Sequence, residues 1–308
     1  MLNHGTASVG LPSVRSPLAA RVSDYVSLTK PRIIELLLVT TVPSMMLAAH
    51  GLPGLGVAIA TLVGGSVAAG SANALNCYLD RDIDAIMHRT AGRPLNRSAV
   101  TPRKALVFGL ILALVSVGLL WVTTDALAAW LAAAAIAFYV VVYTGVLKRR
   151  TSQNIVWGGA AGCMPVLIGW AAVSDRLSWT PVVLFAIVFL WTPPHFWALA
   201  MRYRDDYLAA GVPMLPVIAP ARLVAGRIVA YSWAMVLASL LLWPVAHTEL
   251  VYPIVAVIAG GWFLTETYAL RQRVRSGVPP KSMRLFHASI SYLSILFIAA
   301  ALSALLPG

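Results

Sequence analysis

The amino-acid sequence predicts an all-α protein that crosses a membrane about nine times as a helix bundle. The chain has 308 residues, of which 59% are hydrophobic and 11% are charged, whereas about a quarter of an ordinary soluble domain is charged. Apolar runs recur from residue 33 to the end of the chain, and many reach the roughly 20 residues that a helix needs to span a bilayer. A lipid bilayer is therefore the expected solvent.

The candidate spans are joined alternately by short and by longer, polar connections. Residues 50–54, 123–125, 174–179 and 246–249 form the short connections. Span boundaries read from sequence carry an error of a few residues. The predicted spans cover residues 33–49, 55–79, 105–122, 126–147, 155–173, 181–201, 224–245, 250–270 and 286–306.

The basic residues lie on one side of these spans. Arg176 falls in a short connection, and every other Lys or Arg lies in the N-terminal tail, in a long loop or at an adjoining helix end. Because cytoplasmic loops are enriched in Lys and Arg, the N-terminus and the long loops are predicted to be cytoplasmic. We expect residues 1–28 to form a flexible cytoplasmic tail and residues 29–308 to form one transmembrane domain. This distribution explains the net charge of +12 without nucleic acid as a partner.

A polar stripe is predicted at the end of the second span. Asn76, Asp80 and Asp84 recur every four residues, and helix positions four apart differ by only about 40° in direction. Two carboxylates and an amide oxygen suit Mg²⁺, which often binds one or two carboxylates together with substrate phosphates. Asp82 points roughly opposite and is expected to pair with an arginine. The alternative is a solvated helix end whose aspartates pair with neighbouring arginines.

Basic residues follow the stripe in two segments. Arg89 and Arg93 stand in a loop whose glycine and proline should turn the chain back toward the aspartates. Lys148 and Arg149 end the fourth span and could neutralise a diphosphate. Asn154 could orient a phosphate or cap the fifth span. Membrane topology alone explains the charge of both segments, so that alternative stays open.

The sixth span carries a second polar group. Pro193 and Pro194 are expected to kink this helix, and His195 follows them inside the apolar zone. This histidine is either a hydrogen-bonded core residue or a substrate contact. Asp205 and Asp206 form a second acidic tip at the cytoplasmic end. Two facing acidic tips, a basic rim and an apolar bundle below them suit a lipid with a diphosphate head.

At these positions the sequence resembles the UbiA prenyltransferase superfamily, over nearly the whole chain from about residue 22. Many members carry a second D-x₃-D motif, whereas Asp205 and Asp206 are adjacent here, as in the heme-farnesylating branch that the longer motifs resemble. The general motifs are Asn76-x₃-Asp80-x₃-Asp84, Arg89-Thr-x₂-Arg93-Pro-Leu and Lys148-Arg149; those of the branch are Lys148-Arg-Arg-Thr-x₂-Asn154-Ile-Val, Thr192-Pro-Pro-His-Phe-Trp-Ala-Leu and Tyr203-Arg-Asp-Asp-Tyr-x₃-Gly-Val-Pro-Met-Leu-Pro.

The resemblance implies transfer of a farnesyl group from farnesyl diphosphate to a vinyl group of heme b, with addition of water. It implies Mg²⁺ as cofactor, a multi-pass location in the cell inner (cytoplasmic) membrane with a cytoplasmic active site, and partners in heme processing or terminal-oxidase assembly. His195 or His287 could ligate the iron or contact a propionate. The implied catalytic residues are Asp80, Asp84, Lys148 and Arg149; the metal ligands are Asn76, Asp80, Asp84, Asp205 and Asp206; the diphosphate-binding residues are Arg89, Arg93, Lys148, Arg149, Asn154 and Arg204.

Three other functions stay open on the sequence alone. A UbiA-type enzyme acting on an aromatic or other lipid acceptor would use the same diphosphate machinery. A transporter would also tolerate an intramembrane histidine and kinked helices, although the polar residues here gather at one membrane face. A structural assembly subunit would not need two acidic tips.

Overall fold

The structure is a computed structural model that describes residues 17–306, and this part of the chain contains helices and no β-strand. Prolines start several of the helices, because a proline at the first helical position loses no hydrogen bond. The elements are α1 Pro17–Thr29, α2 Pro31–Ala49, α3 Leu55–Leu79, α4 Arg81–Ile86, a 3₁₀ turn His88–Thr90, α5 Pro102–Thr123, α6 Ala126–Ala137, a π-helix Phe138–Leu147, α7 Lys148–Arg150, α8 Asn154–Ser174, α9 Trp179–Arg202, α10 Arg204–Ala209, α11 Leu215–Ile218, α12 Ala221–Ala246, α13 Val251–Arg275 and α14 Ser282–Ser303.

Within residues 17–306, eight helical segments are long and apolar enough to cross a membrane. They are α3, α5, the continuous helix 126–150, α8, α9, α12, α13 and α14. The first predicted span corresponds to α2, whose apolar part is confined to Leu37–Ala49 because Arg32 and Glu35 occupy its first turns. The all-α membrane fold is confirmed, whereas the count of nine spans and the cytoplasmic N-terminus stay predictions.

The expected N-terminal tail is partly helical. Residues 1–16 lie outside the described part of the chain, but Pro17–Thr29 forms α1. This helix packs against α3: Leu28 is fully buried, and Asn73 donates a hydrogen bond to the backbone oxygen of Thr29 over 2.9 Å. An ion pair between Asp24 and Arg97 ties α1 to the loop before α5. The expected division at residue 28 therefore lies inside a helix that belongs to the bundle.

Two of the four buried apolar clusters lie among the membrane-spanning helices. The larger lies between α8, α9, α12, α13 and α14 and buries large rings such as Trp197, Phe263 and Tyr292. The second joins α3, α5, α6 and α8 around Leu75 and Leu120. Lipid offers apolar surface as readily as another helix does, so close packing is the main source of cohesion between such helices.

Two adjacent glycines let α8 approach the helices on both of its sides. A Cβ on Gly158 would lie 2.1 Å from Cδ2 of Tyr143 in the π-helix, and a Cβ on Gly159 would lie 2.8 Å from Cγ2 of Thr192 in α9. Backbones can come this close only where no side chain intervenes. Helix α8 thereby links the element that precedes Lys148 with the helix that carries His195.

Candidate active site

The polar stripe at the end of α3 is buried. Backbone hydrogen bonds of 2.9 Å from Asp80 N to Asn76 O and of 2.8 Å from Asp84 N to Asp80 O carry the helical register from α3 into α4. The three side chains therefore share one face, and each is at most 3% exposed. Asn76 Nδ2 donates to Asp80 Oδ2 over 2.7 Å. Burying two carboxylates is costly unless cations or hydrogen-bond donors face them.

Cations from two other segments face these carboxylates. Lys148 forms an ion pair with Asp80, and Arg93 forms one with Asp84. Nη2 of Arg149 lies 3.8 Å from Asp80 Oδ1, so three of the predicted basic residues meet the stripe. They reach it because the loop after α4 folds back and because α7 ends beside α3.

Asp82 lies outside the stripe, as its position on the helix predicted. Both guanidinium Nη atoms of Arg149 donate to its carboxylate over 2.7 Å. Hydrogen bonding from Arg149 lowers the pKa of Asp82 to about 2. The expected pairing of Asp82 with an arginine is confirmed. This contact also fixes the guanidinium of Arg149 beside Asp80.

Lys30 is a site residue that the sequence analysis missed. Its Nζ donates to Asn76 Oδ1 over 2.8 Å, and its backbone is left-handed, with φ at 54°. Burial lowers the pKa of Lys30 to about 8. The left-handed residue separates α1 from α2 and directs the amine toward the stripe. Membrane topology alone explains a lysine at this position. The contact of Lys30 with Asn76 depends on the turn between α1 and α2, which the sequence does not predict.

The π-helix before Lys148 is a second feature that the sequence did not indicate. Thr144 Oγ1 accepts a hydrogen bond from Asn76 Nδ2 over 3.1 Å and donates to Tyr139 O, five residues earlier, over 2.8 Å. The wider turn brings together the rings of Tyr139 and Tyr143, whose centroids lie 5.3 Å apart with their planes tilted by 33°. π-helical turns are rare and frequent at functional sites. Here the turn sets where Lys148 emerges.

The second acidic tip reaches the same loop as the first. His88 Nδ1 lies 3.1 Å from Asp206 Oδ1, and the backbone N–H of Arg89 donates to Asp206 Oδ2 over 3.2 Å. The hydrogen bond with His88 is the main cause that lowers the pKa of Asp206. Thr90 Oγ1 donates to the backbone oxygen of Asp84 over 2.8 Å. The turn His88–Thr90 therefore joins α4 and α10 at one end of the bundle.

Several predicted site residues lie elsewhere. The side chain of Asp205 is 98% exposed and lies 3.7 Å from Arg204. Arg204 donates to the backbone oxygens of residues 216 and 217 over 3.2 and 3.3 Å and so braces α11. Asn154 is fully buried, and its Nδ2 lies 3.4 Å from the backbone oxygen of Lys148. It contacts the first residue of α7. His287 is exposed.

The predicted five-residue metal set is not assembled. Within residues 17–306, no three His, Cys, Asp or Glu side chains come close enough to hold a metal ion. Asp205 points to solvent, and Asp206 is held by the turn at His88. In the short helix α10, adjacent residues differ by about 100° in direction, so both carboxylates of the pair cannot face the stripe.

The stripe itself fits Mg²⁺. Asp80 Oδ1 is enclosed and accepts no hydrogen bond; the nearest cation, Nη2 of Arg149, lies 3.8 Å away, so the lone pairs of this oxygen can serve a metal ion. Asp84 and the amide oxygen of Asn76 lie on the same face. Two carboxylates, an amide oxygen and substrate phosphates form a ligand set that Mg²⁺ takes. Asn76, Asp80 and Asp84 are therefore the residues that would hold it.

Comparison with known proteins adds the family. The model of the UbiA prenyltransferase family matches residues 37–290. The chain belongs to the UbiA prenyltransferase family. Its class of activity is prenyl transfer, which removes the transporter and the structural subunit as explanations of the site.

Relatives in this family cover almost the entire chain. A protoheme IX farnesyltransferase of Renibacterium salmoninarum is 56% identical over 298 residues, which are 96% of this chain and 94% of the relative. One of Frankia alni is 58% identical over 285 residues, which are 92% of this chain and 99% of the relative.

Solved structures share the UbiA fold at much lower identity. A digeranylgeranylglyceryl phosphate synthase superposes with a TM-score of 0.76 at 15% identity, covering 92% of this chain and 99% of that chain. A UbiA homologue from Archaeoglobus fulgidus bound to GPP and Mg²⁺ gives a TM-score of 0.68 at 16% identity, covering 92% of this chain and 99% of that one. These structural similarities show that the chain has the UbiA fold.

Proposed function

We propose that this protein transfers the farnesyl group of farnesyl diphosphate to a vinyl group of heme b and releases heme O and diphosphate. The allylic C–O bond breaks, a C–C bond forms to the vinyl carbon, and water supplies a hydroxyl to the other vinyl carbon while one proton leaves. The observation that carries the proposal is the buried pair Asp80 and Asp84 facing Lys148 and Arg93. Relatives matching 92% or more of the chain at 54–58% identity support heme as the acceptor.

The protein's main task is to stabilise the negative charge that develops on the departing diphosphate. Mg²⁺ at Asn76, Asp80 and Asp84 would act as a Lewis acid on the phosphate oxygens. A diphosphate seated at those carboxylates lies within reach of Lys148 and Arg93. Preorganised cations at a charge-developing atom are the largest single term in many enzymes. Arginine adds a planar fork that matches phosphate geometry.

The allylic cation left after bond cleavage needs a dry surface with available π-electrons. The rings of Tyr139 and Tyr143 in the π-helix contact each other, with centroids 5.3 Å apart and planes tilted by 33°, next to the threonine that contacts Asn76. Aromatic faces attract cations, and excluding water prevents premature capture of the cation. We propose that these two rings lie beside the first carbons of the isoprenoid.

We propose that the reaction takes place at the cytoplasmic face of the cell inner membrane. Lys148, Arg93 and the turn His88–Thr90 all belong to the connections that carry the positive charge of the chain. The bias of Lys and Arg toward cytoplasmic loops supports this orientation. Farnesyl diphosphate would then enter with its head at the interface and its tail in the bilayer.

The proposal is tested with membranes containing the protein, supplied with farnesyl diphosphate, heme b and Mg²⁺. Mass spectrometry of extracted hemes should detect heme O, and diphosphate release should depend on heme. Asp80→Asn keeps the shape of the side chain but removes one charge facing Lys148. We expect it to lower product formation by at least about 10²-fold, as loss of a key electrostatic group does.

Asp205→Asn is the matched control, since the side chain of Asp205 is 98% exposed. It should form heme O at the wild-type rate. Heme O formation that survives Asp80→Asn undiminished contradicts the role of the stripe. If an aromatic acceptor stimulates diphosphate release and heme does not, that acceptor is the substrate in place of heme. The role of the stripe in diphosphate departure is unaffected by that outcome.

A further inference from the structure

A cavity of about 390 Å³ opens between the end of α13 and the start of α14, and we call it the α13–α14 cavity. Helix α9 ends at the second acidic tip, α12 crosses back through the bundle and α13 returns. The cavity therefore lies at the same end of the bundle as Asp80 and Asp84. None of its lining residues belongs to the stripe or to the cations that face the stripe.

Two arginines line the α13–α14 cavity, one from each helix. Arg273 belongs to the last turn of α13, and Arg284 belongs to the first turn of α14. Glu266, whose side chain is 10% exposed, accepts a hydrogen bond of 2.6 Å from Arg284 Nη2. Arg273 forms no ion pair with any carboxylate of residues 17–306. The single carboxylate therefore leaves the cavity with an uncompensated positive charge.

The loop between the two helices holds Arg273 in place. Its Nε donates to the backbone oxygen of Pro279 over 2.8 Å. The chain turns through Gly277, whose φ of 71° is left-handed, and Val278 N–H donates to the backbone oxygen of Arg273 over 3.1 Å. This turn closes the C-terminus of α13. The guanidinium is thus fixed through Nε, while its two Nη groups stay available as a planar fork.

Exposed apolar side chains continue from the arginines toward the middle of the bilayer. Trp262 precedes Arg273 by eleven residues on α13, and Ile295 follows Arg284 by eleven residues on α14. Eleven residues complete about three turns, so each apolar residue shares a helix face with its arginine, about 16 Å along the axis. The side chains of Trp262 and Ile295 are 39% and 42% exposed. A ligand with its charged head at the arginines would therefore meet apolar surface below it.

The histidines predicted to bind heme do not line this cavity. His195 is buried between the rings of Trp191 and Phe286, whose centroids lie 4.1 and 4.4 Å from its own, and its Nδ1 lies 2.8 Å from Ser289 Oγ. His287 is exposed on α14 but does not belong to the lining. The α13–α14 cavity is thus a place distinct from the one expected for the acceptor.

Membrane topology accounts for basic residues in the connection between α13 and α14, but it does not account for the cavity. A charge that only sets orientation needs no enclosed partner. Here Arg273 is half-buried, and the polar side chains of Gln272 and Ser276 line the space beside it. A free inorganic anion would use the cations alone. The apolar faces that continue from them favour an anion that carries hydrocarbon chains.

We propose that the α13–α14 cavity binds the phosphate of an anionic phospholipid, whose acyl chains lie along Trp262 and Ile295. Basic pockets between membrane helices bind anionic lipid head groups, and arginine offers a bidentate fork to phosphate oxygens. The lipid adds a negative charge where two guanidinium groups accompany one carboxylate. The site uses none of the residues of the prenyl-transfer site, so it goes beyond the proposed function and does not rest on it.

The test is native mass spectrometry of the full chain released from detergent micelles containing dioleoyl phosphatidylglycerol or dioleoyl phosphatidylcholine. The two lipids have the same acyl chains, and only phosphatidylglycerol has a net negative charge. The wild type should bind one phosphatidylglycerol at least about 10-fold more tightly than phosphatidylcholine. Arg273→Gln should weaken phosphatidylglycerol binding by at least about 10-fold, since it removes a charge-assisted contact with phosphate. Excess inorganic phosphate should not displace the lipid.

Arg275→Gln is the matched control, because it removes the same charge from an exposed residue of the same helix that does not line the cavity. Its phosphatidylglycerol affinity should equal that of the wild type. A second variant covers the case in which Arg273→Gln does not fold. Ala269→Phe fills the cavity from an exposed position of its wall and keeps every charge, so it should also weaken phosphatidylglycerol binding by at least about 10-fold.

Four results would overturn the assignment. Equal affinity for the two lipids would show that the head group is not recognised, and an equal loss in Arg275→Gln and Arg273→Gln would show attraction to the net charge of the whole surface. Wild-type binding in Ala269→Phe would place the lipid elsewhere. Displacement by inorganic phosphate would make the cavity a site for a free anion. Heme O formation is not a readout here, so the lipid site and the proposed function stand or fall separately.

Discussion

Replacing Lys30 by methionine removes the cation nearest to Asn76 while keeping an unbranched side chain of similar length. Lys30 Nζ lies 2.8 Å from Asn76 Oδ1, and the residue is half-buried. If the amine of Lys30 lay 4 Å from a charge of the departing diphosphate, the two unit charges would interact by about 4 kcal/mol at an effective dielectric constant of 20. Lys148, Arg149 and Arg93 also stabilise the negative charge of the diphosphate. We therefore expect Lys30→Met to raise the activation free energy by less than this, about 2.7 kcal/mol, which is a rate decrease of about 10²-fold.

The assay is the initial rate of diphosphate release in reconstituted membranes at saturating farnesyl diphosphate and heme. Lys281→Met is the matched control, because Lys281 also has a left-handed backbone, with φ at 50°, directly before a helix. That residue is exposed, and its replacement should leave the rate unchanged. Lys30→Arg should recover part of the activity. A Lys30→Met protein as fast as the wild type refutes a role for this amine in diphosphate departure.

Three further substitutions test the surroundings of the stripe. Gly158→Ala places a methyl group against the ring of Tyr143, so it should destabilise the protein by about 1–3 kcal/mol and slow turnover. A denaturant titration measures the change in stability. Gly162→Ala, whose methyl group would meet nothing within 4 Å, is the control and should leave stability unchanged. Thr144→Val removes the acceptor of an Asn76 hydrogen bond and should raise the Mg²⁺ concentration for half-maximal rate by about 10-fold, whereas a Thr144→Ser protein should resemble the wild type; equal metal dependence of the two speaks against the contact. Arg149 lowers the pKa of Asp82 to about 2. The pair therefore stabilises the folded state above the usual carboxyl pKa, and this stability is lost as the pH falls toward 2. The free energy of unfolding, measured between pH 5 and pH 2, should depend less on pH in Asp82→Asn than in the wild type, and an identical pH profile contradicts the pairing.

The stripe could be predicted because it depends on local structure alone. Asn76, Asp80 and Asp84 share a face in any continuous helix, and the structure keeps the helical register through residue 84. The same periodicity placed Asp82 apart from them. Hydrophobic run lengths likewise predict helices in lipid with little ambiguity, which is why the fold class followed from composition and pattern.

The remaining site features depend on tertiary structure that no local pattern encodes. Lys30 reaches Asn76 because a left-handed residue turns α1 into α2, and the sequence offered an adequate alternative reason for a lysine at that position. The π-helix has about one more residue per turn than an α-helix, and nothing in the amino-acid composition of residues 138–147 indicates it. The hydrogen bond between Thr144 and Asn76 could therefore not be predicted from the sequence. Asp205 and Asp206 look equivalent in sequence, and only the direction of α10 separates the exposed carboxylate from the one at His88.

The central claim is that a metal ion and a diphosphate meet at the stripe. A structure of the protein in nanodiscs with Mg²⁺ and a non-reactive farnesyl thiodiphosphate tests it directly. We predict metal–oxygen distances of about 2.0–2.1 Å to at least one of Asp80 and Asp84, with Lys148 Nζ moved from Asp80 to a phosphate oxygen. A diphosphate bound elsewhere, with Lys148 still paired to Asp80, would contradict the account.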